Sequence, residues 1–130
     1  MRHSREGIEA LSPVESIVLR AYIFDSDEQN GSLSQFFYNT DSSPDTAEAT
    51  ASALEAIGAF KTAGVLRVAA SVICRSGARG FTGTWSAYLA FVDPTRRLDE
   101  CIVELSATGE SVGDCLQDFI LQHRSELQVA

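Results

Sequence analysis

Apolar residues recur at helical spacing along almost the whole of this chain, and this pattern constrains the fold more than any other feature of the sequence. The first segment places five of them at i, i+3, i+4, i+7 and i+8: Val14, Ile17, Val18, Ala21 and Tyr22. That spacing gathers side chains on one face of a helix. Just before it, Ser12, Pro13 and Glu15 supply a capping box with proline in the first turn. A helix starting at Pro13 is therefore predicted.

The same spacing predicts helices further along the chain. Their apolar stripes fall in segments 33–37, 44–57, 66–73, 98–105 and 112–123. Asn30 and Gly31 separate the first two helices because this pair readily adopts positive φ, and Ser32 with Gln35 forms a second capping box.

One segment fits two structures. Between Phe81 and Phe91 the apolar residues alternate as in a strand, yet Trp85, Tyr88 and Leu89 also have helical spacing, which we favour. The predicted fold is all-α, with six or seven helices in a single compact domain. That domain spans residues 12–130 and follows an N-terminal tail of residues 1–11.

The charge balance excludes several classes of partner. The 130 residues include 18 Asp and Glu against 10 Lys and Arg, a formal net charge of −8. Nucleic-acid binding neutralises phosphates with Lys and Arg, so we expect no direct nucleic-acid contact and instead a basic protein partner. No segment approaches the roughly 18 uninterrupted apolar residues of a membrane span, and residues 1–11 lack the apolar stretch of a secretory signal. A cytoplasmic protein without a membrane partner is expected.

The cysteines and histidines offer little for catalysis. Cys74, Cys101 and Cys115 are widely spaced and lie on or beside apolar stripes, which predicts reduced structural thiols. His3 and His123 match no zinc-ligand spacing, and His123 lies on the apolar stripe of the last helix. We therefore predict no metal, no cofactor and no catalytic residue, and a protein that is not an enzyme.

Acidic residues are concentrated in two blocks that contain no Lys or Arg, residues 25–60 and 99–118. A helical projection turns most of them away from the apolar stripes. Glu100 with Glu104, and Asp114 with Asp118, are like charges at i and i+4, each costing a few tenths of a kcal/mol. The predicted partner-binding residues are Asp25, Asp27, Glu28, Asp41, Asp45, Glu48, Glu55, Glu100, Glu104, Asp114 and Asp118. The alternative left open is that these are ordinary solvated helix faces.

Two motifs resemble a known family. Residues 27–39 combine an acidic helix end, a turn at Asn30-Gly31 and the sequence Gln35-Phe36-Phe37-Tyr38-Asn39, and a later helix ends in Ile57-Gly58-Ala59. This resembles the family of the nineteen-kilodalton DNA mimic protein, with its Asn-Gly-Gly turn, Gln-Phe-Phe-x-Asn and Ile-Gly-Ala. The resemblance extends roughly from Ser12 to Arg124. Ser32 replaces the second glycine of the turn.

The resemblance implies an all-helical fold and, from one member, a function: carboxylates placed where DNA presents phosphates occupy the DNA site of a transcription factor. Such a surface would capture the field that steers DNA to a basic regulator. We read Asn30, Gly31, Gln35, Phe36, Phe37 and Asn39 as residues that build the turn and dock the second helix. Three alternatives stay open: an immunity-type antagonist of a basic toxin, a small hydrolase with a carboxylate site, and self-association as a homodimer.

Overall fold

The computed structural model describes residues 11–74, 84, 87, 93 and 96–127. These residues form five helices and no strand: α1 (Pro13–Asn39), α2 (Pro44–Ala56), α3 (Phe60–Ile73), α4 (Arg97–Ala107) and α5 (Val112–Gln122). Helix α1 contacts each of the other four, and α3 also packs against α2 and α4. The prediction of an all-α fold is confirmed.

The prediction of six or seven helices is not borne out. The first two predicted helices are joined as α1, and the predicted interruption between them is a kink at Gly31 and Ser32, whose backbone is not helical. The segment between Phe81 and Phe91, for which helix and strand were both considered, lies outside the described residues apart from Thr84 and Ala87. The strand alternative is not borne out in the part of the chain that the structure describes.

The bend in α1 corrects the expected turn geometry. Gly31 has an extended φ of −164°, and the positive φ of 66° lies at Ser32, with ψ of −168°. The predicted capping box is replaced by other hydrogen bonds: Ser34 donates from Oγ to the Gly31 carbonyl over 3.1 Å, and Gln35 donates from Nε2 to Asn39 Oδ1 over 2.8 Å. The Asn39 amide in turn donates to Asp27 Oδ1 over 3.0 Å. The side chains of Gln35, Asn39 and Asp27 therefore tie the two halves of α1 together across the bend.

Replacing Ser32 by glycine should stabilise the protein. The backbone of Ser32 lies in a region that is essentially restricted to glycine and costs other residues about 1–3 kcal/mol. Glycine relieves that strain but adds chain entropy to the unfolded state, so a net gain of roughly 1 kcal/mol in the free energy of unfolding is expected. Urea denaturation followed by circular dichroism measures it. The control Ser52→Gly, within helical α2, should lose stability, and a loss for Ser32→Gly as well would contradict the assignment of strain.

Aromatic residues of the Gln-Phe-Phe motif form the centre of the core. Phe36 contacts Phe24 and Phe37 edge to face, with ring centroids 5.2 and 5.4 Å apart. All three rings are almost fully buried. The predicted α2 stripe is also buried: Ala47, Ala51, Leu54 and Ile57. Tyr22 was wrongly placed on the α1 stripe; it is 59% exposed, and Ala21 and Phe24 form the buried face there.

A capping residue that directly precedes a helix marks the start of that helix in the sequence. Ser12 and Glu15 form the predicted capping box, with hydrogen bonds of 2.9 and 3.2 Å. Ser43 and Ser111 cap α2 and α5 by accepting from backbone N–H groups three residues later. Helix α4 is capped by the buried Asp93, whose carboxylate accepts from the N–H groups of Arg97 and Leu98 over 2.8 and 2.6 Å.

Candidate functional site

Two of the predicted carboxylates on α2, Glu48 and Glu55, share one cation within the molecule. Arg67 on α3 donates to Glu48 from Nε over 3.0 Å and from Nη2 over 2.8 Å, and to Glu55 from Nη1 over 2.7 Å and from Nη2 over 3.2 Å. The planar guanidinium suits such two-pronged contacts. Because these hydrogen bonds favour the ionised carboxylates, they lower the pKa values of Glu48 and Glu55.

Two other predicted residues lie near the start of α2. Asp45 is exposed in its first turn, and Asp41 is exposed in the preceding turn with a φ of 57°. Helix α2 packs against α1 and α3. With Glu48 and Glu55 held by Arg67, this region presents fewer unpaired carboxylates than the sequence suggested.

The remaining predicted carboxylates lie on α1, α4 and α5. Asp25, Asp27 and Glu28 are half-buried on α1, whereas Glu100, Glu104, Asp114 and Asp118 are exposed on α4 and α5. Helix α1 contacts both α4 and α5. Within the described ranges, none of these carboxylates forms an ion pair with Lys, Arg or His. We call Asp25, Glu28, Glu100, Glu104, Asp114 and Asp118 the acidic surface.

A groove of about 290 Å³ opens between α1 and the α4–α5 connection. We call it the acidic groove because Asp25, Glu28 and Glu110 line it. Asp25 Oδ2 accepts from Gln29 Nε2 over 3.1 Å and lies 3.8 Å from the position that a Cβ on Gly113 would occupy. A Cβ there would make an ordinary van der Waals contact with the Asp25 carboxylate, so the start of α5 lies directly beside Asp25.

Glu110 has a structural role that the sequence did not reveal. Its Oε1 accepts from the Thr62 N–H over 2.6 Å and its Oε2 from the Lys61 N–H over 3.2 Å. These groups open α3, whose own N-cap residue, Ala59, has no side-chain hydrogen bond to offer. A carboxylate at a helix N-terminus satisfies free N–H groups and interacts favourably with the helix dipole. Glu110 thus caps α3 from the α4–α5 connection.

The sequence also matches a protein family over nearly its whole length. Residues 9–123 match the family described as DMP19-like protein. The chain belongs to the DMP19-like protein family. No curated protein and no solved structure matches it. The family resemblance predicted from the residues at the α1 bend is thereby confirmed, and its Gln-Phe-Phe-x-Asn sequence in this DMP19-like chain supplies the core rings and the hydrogen bonds across the bend.

Two carboxyl groups of this DMP19-like protein have raised pKa values. Burial raises the pKa of Asp27 despite its hydrogen bond from Asn39, and Asp27 Oδ2 is buried without a hydrogen-bond partner among the described residues. Burial and then repulsion from Asp25 raise the pKa of Glu28. The Asp27 side chain therefore forms part of the hydrogen-bonded bend in α1, whereas the Glu28 side chain lines the acidic groove.

Glu110 shifts in the opposite direction. Burial opposes its ionised form, but the hydrogen bonds from the Thr62 and Lys61 backbone and the charge of Lys61 outweigh burial and lower its pKa. Interaction with the Thr62 side chain also lowers this pKa, although no described group lies in good hydrogen-bonding geometry with the buried Oγ1.

The remaining candidate groups in the DMP19-like chain are structural where the structure describes them. No disulfide joins the cysteines Cys74, Cys101 and Cys115 to one another, and burial followed by nearby carboxylates raises the pKa values of Cys101 and Cys115, which keeps these thiols protonated. His123 stacks on Phe119, with centroids 4.2 Å apart, and its Nδ1 lies 3.0 Å from a Glu126 oxygen.

Two absences apply to the described residues alone. No group of three His, Cys, Asp or Glu side chains among them is arranged to hold a metal ion. None of their helices combines the length and apolar character that crossing a membrane requires.

Proposed function

We propose that this chain is a non-enzymatic cytoplasmic domain that binds a basic protein through the acidic surface, and that the partner is a DNA-binding regulator whose DNA site the surface occupies. The observation that carries the proposal is the distribution of unpaired carboxylates. Arg67 pairs with Glu48 and Glu55 on α2, whereas Glu100, Glu104, Asp114 and Asp118 stand exposed without a cationic partner in the described part of the chain.

The destabilisation caused by like charges on α4 and α5 supports a binding role for these carboxylates. Like charges at i and i+4 destabilise an isolated helix by a few tenths of a kcal/mol per pair, and both α4 and α5 carry such a pair. Because helices already order the backbone at these positions, only the side chains of the carboxylates lose freedom when they meet a partner. Their summed field would steer a basic surface towards α4 and α5 and raise the association rate.

Membership of the DMP19-like family supports DNA mimicry as the form of this binding. A mimic differs from an antagonist of a basic toxin in one measurable way: it must exclude DNA from its partner. We therefore expect a regulator captured from the native host to release its operator DNA when this protein is added, in proportion to the concentration of protein. A partner that binds DNA and this protein together would contradict mimicry, and a nuclease-like partner would favour the antagonist.

The acidic groove also supports a second candidate, a small acid-pair hydrolase, because Glu28 and Glu110 line it with oppositely shifted pKa values. Glu110 is less suited to catalysis, since both of its oxygens accept backbone N–H groups of α3. A hydrolase of this kind needs Glu28 protonated near neutral pH. An NMR titration in which the Glu28 carboxyl group ionises well below neutral pH would eliminate this candidate.

A further inference from the structure

We propose that the acidic groove is a socket for one lysine side chain of the basic partner. The inference rests on the proposed function and names the contact through which the partner is recognised. The groove is lined by Asp25 and Glu28 on α1, by the segment 109–113 and by Thr62 on α3. The socket therefore joins α1, α3 and the α4–α5 connection.

Thr62 provides an observation that is independent of the acidic cluster. Its side chain is fully buried, it lines the groove, and its Oγ1 has no hydrogen-bond partner among the described residues. Buried hydroxyl groups are normally hydrogen-bonded, and an exception indicates a missing water or ligand. A polar group entering the groove would approach this hydroxyl.

The chemistry of the groove favours an organic cation. Asp25 and Glu28 bring acceptors and negative charge, while an ammonium group brings three donors and no acceptor. Repulsion between Asp25 and Glu28 would be relieved by a cation bound near both. A metal ion is the weaker candidate, because no described set of three carboxylate, thiol or imidazole groups has metal-binding geometry.

The shape of the groove favours lysine. Its volume of about 290 Å³ lies at the lower limit for small-molecule sites and suits a single slender side chain. Arginine carries a broad planar fork that matches paired oxygens of one carboxylate or phosphate, whereas lysine ends in a compact point charge. The acceptors in the groove belong to three different residues, Asp25, Glu28 and Thr62, and the compact ammonium group of lysine suits such an arrangement better than a planar fork does.

The test is an NMR titration of the isotope-labelled full chain at low ionic strength. The probes are N-acetyl-lysine N-methylamide, its arginine equivalent and its uncharged norleucine equivalent. We expect the lysine probe to shift the amide signals of Thr62, Gly109 and Gly113 saturably and more strongly than the other two. Equal shifts with lysine and arginine, or shifts spread over all acidic helices, would overturn the socket.

Matched variants identify the residues responsible. Asp25→Asn with Glu28→Gln should weaken the lysine probe about tenfold through the loss of charge-assisted hydrogen bonds, and Thr62→Val should weaken it about threefold without changing the charge. Glu100→Gln with Glu104→Gln removes the same charge from α4 and should change affinity by less than about twofold, since exposed charges are screened. Unchanged affinity in Thr62→Val and in the α1 pair would overturn the proposal.

Failure of the socket is distinguishable from failure of the proposed function. If the lysine probe avoids the groove while reversal of Asp114 still slows association with a basic regulator, the socket is wrong and the proposed function stands. If the probe occupies the groove but no basic protein responds to the acidic surface, the groove binds a lysine side chain as proposed, while the proposed function fails and the partner must be sought elsewhere.

Discussion

Replacing Phe36 by alanine should lower the free energy of unfolding by about 3–5 kcal/mol, the cost of emptying a buried aromatic site. Phe36 is 1% exposed and contacts the rings of Phe24 and Phe37, so the cavity would lie at the centre of the core. Urea denaturation followed by circular dichroism measures the change. Phe60→Ala is the matched control, because this ring is 65% exposed and its removal should cost little.

The result bears on how the family motif is interpreted. A large loss of stability means that Gln-Phe-Phe-x-Asn specifies the fold. A Phe36→Ala protein as stable as the Phe60→Ala control would instead show that the ring is dispensable for folding, and the motif would then need a functional explanation.

Replacing Glu110 by alanine should lower the free energy of unfolding by about 1–2 kcal/mol at neutral pH, as expected when the charged hydrogen bonds that cap a helix start are lost. The Thr62 and Lys61 N–H groups would have no replacement cap, because Ala59 offers none. Denaturant unfolding measures the loss. Glu104→Ala removes an exposed carboxylate from α4 and should be nearly neutral.

The effect of Glu110 should also depend on pH in a defined direction. Its pKa in the folded protein lies below the ordinary value of 4.5. Its stabilising contribution is therefore fully present above that ordinary value and is lost as the pH falls through the folded pKa. The stability difference between wild type and Glu110→Ala should shrink on acidification, and a difference that grew instead would contradict the capping role.

The sequence predicted those parts of the fold that depend on local order. Helical spacing located the buried faces of α2 and α3, and the Ser12 capping box located the start of α1, because each signal lies within a few residues of the structure it specifies. The Asn30-Gly31 pair correctly located the bend in α1, but the positive φ lies at Ser32, one residue after the predicted pair. A residue with a side chain, Ser32, occupies the strained position.

Contacts between distant segments were not predicted. Glu110 caps α3 from 48 residues away, and no local pattern indicates this. The ion pair of Arg67 with Glu48 had a usable signal: α2 and α3 are joined by the short turn at Gly58, so residues at similar distances on either side of it face each other. Acids before that turn and an arginine after it indicate pairing across a helical hairpin. The helical projection treated each helix alone and therefore left Glu48 and Glu55 in the candidate site.

The association rate of a basic regulator with two single charge-reversal variants tests the central claim most directly. Asp114→Lys and Asp45→Lys change the net charge equally, and both replace an exposed acid in the first turn of a serine-capped helix. Measured by stopped flow at low salt, Asp114→Lys should slow association roughly fivefold to tenfold and Asp45→Lys by less than about twofold, with both effects shrinking as salt is raised. Equal slowing by the two variants, or none by either, would contradict binding through the acidic surface.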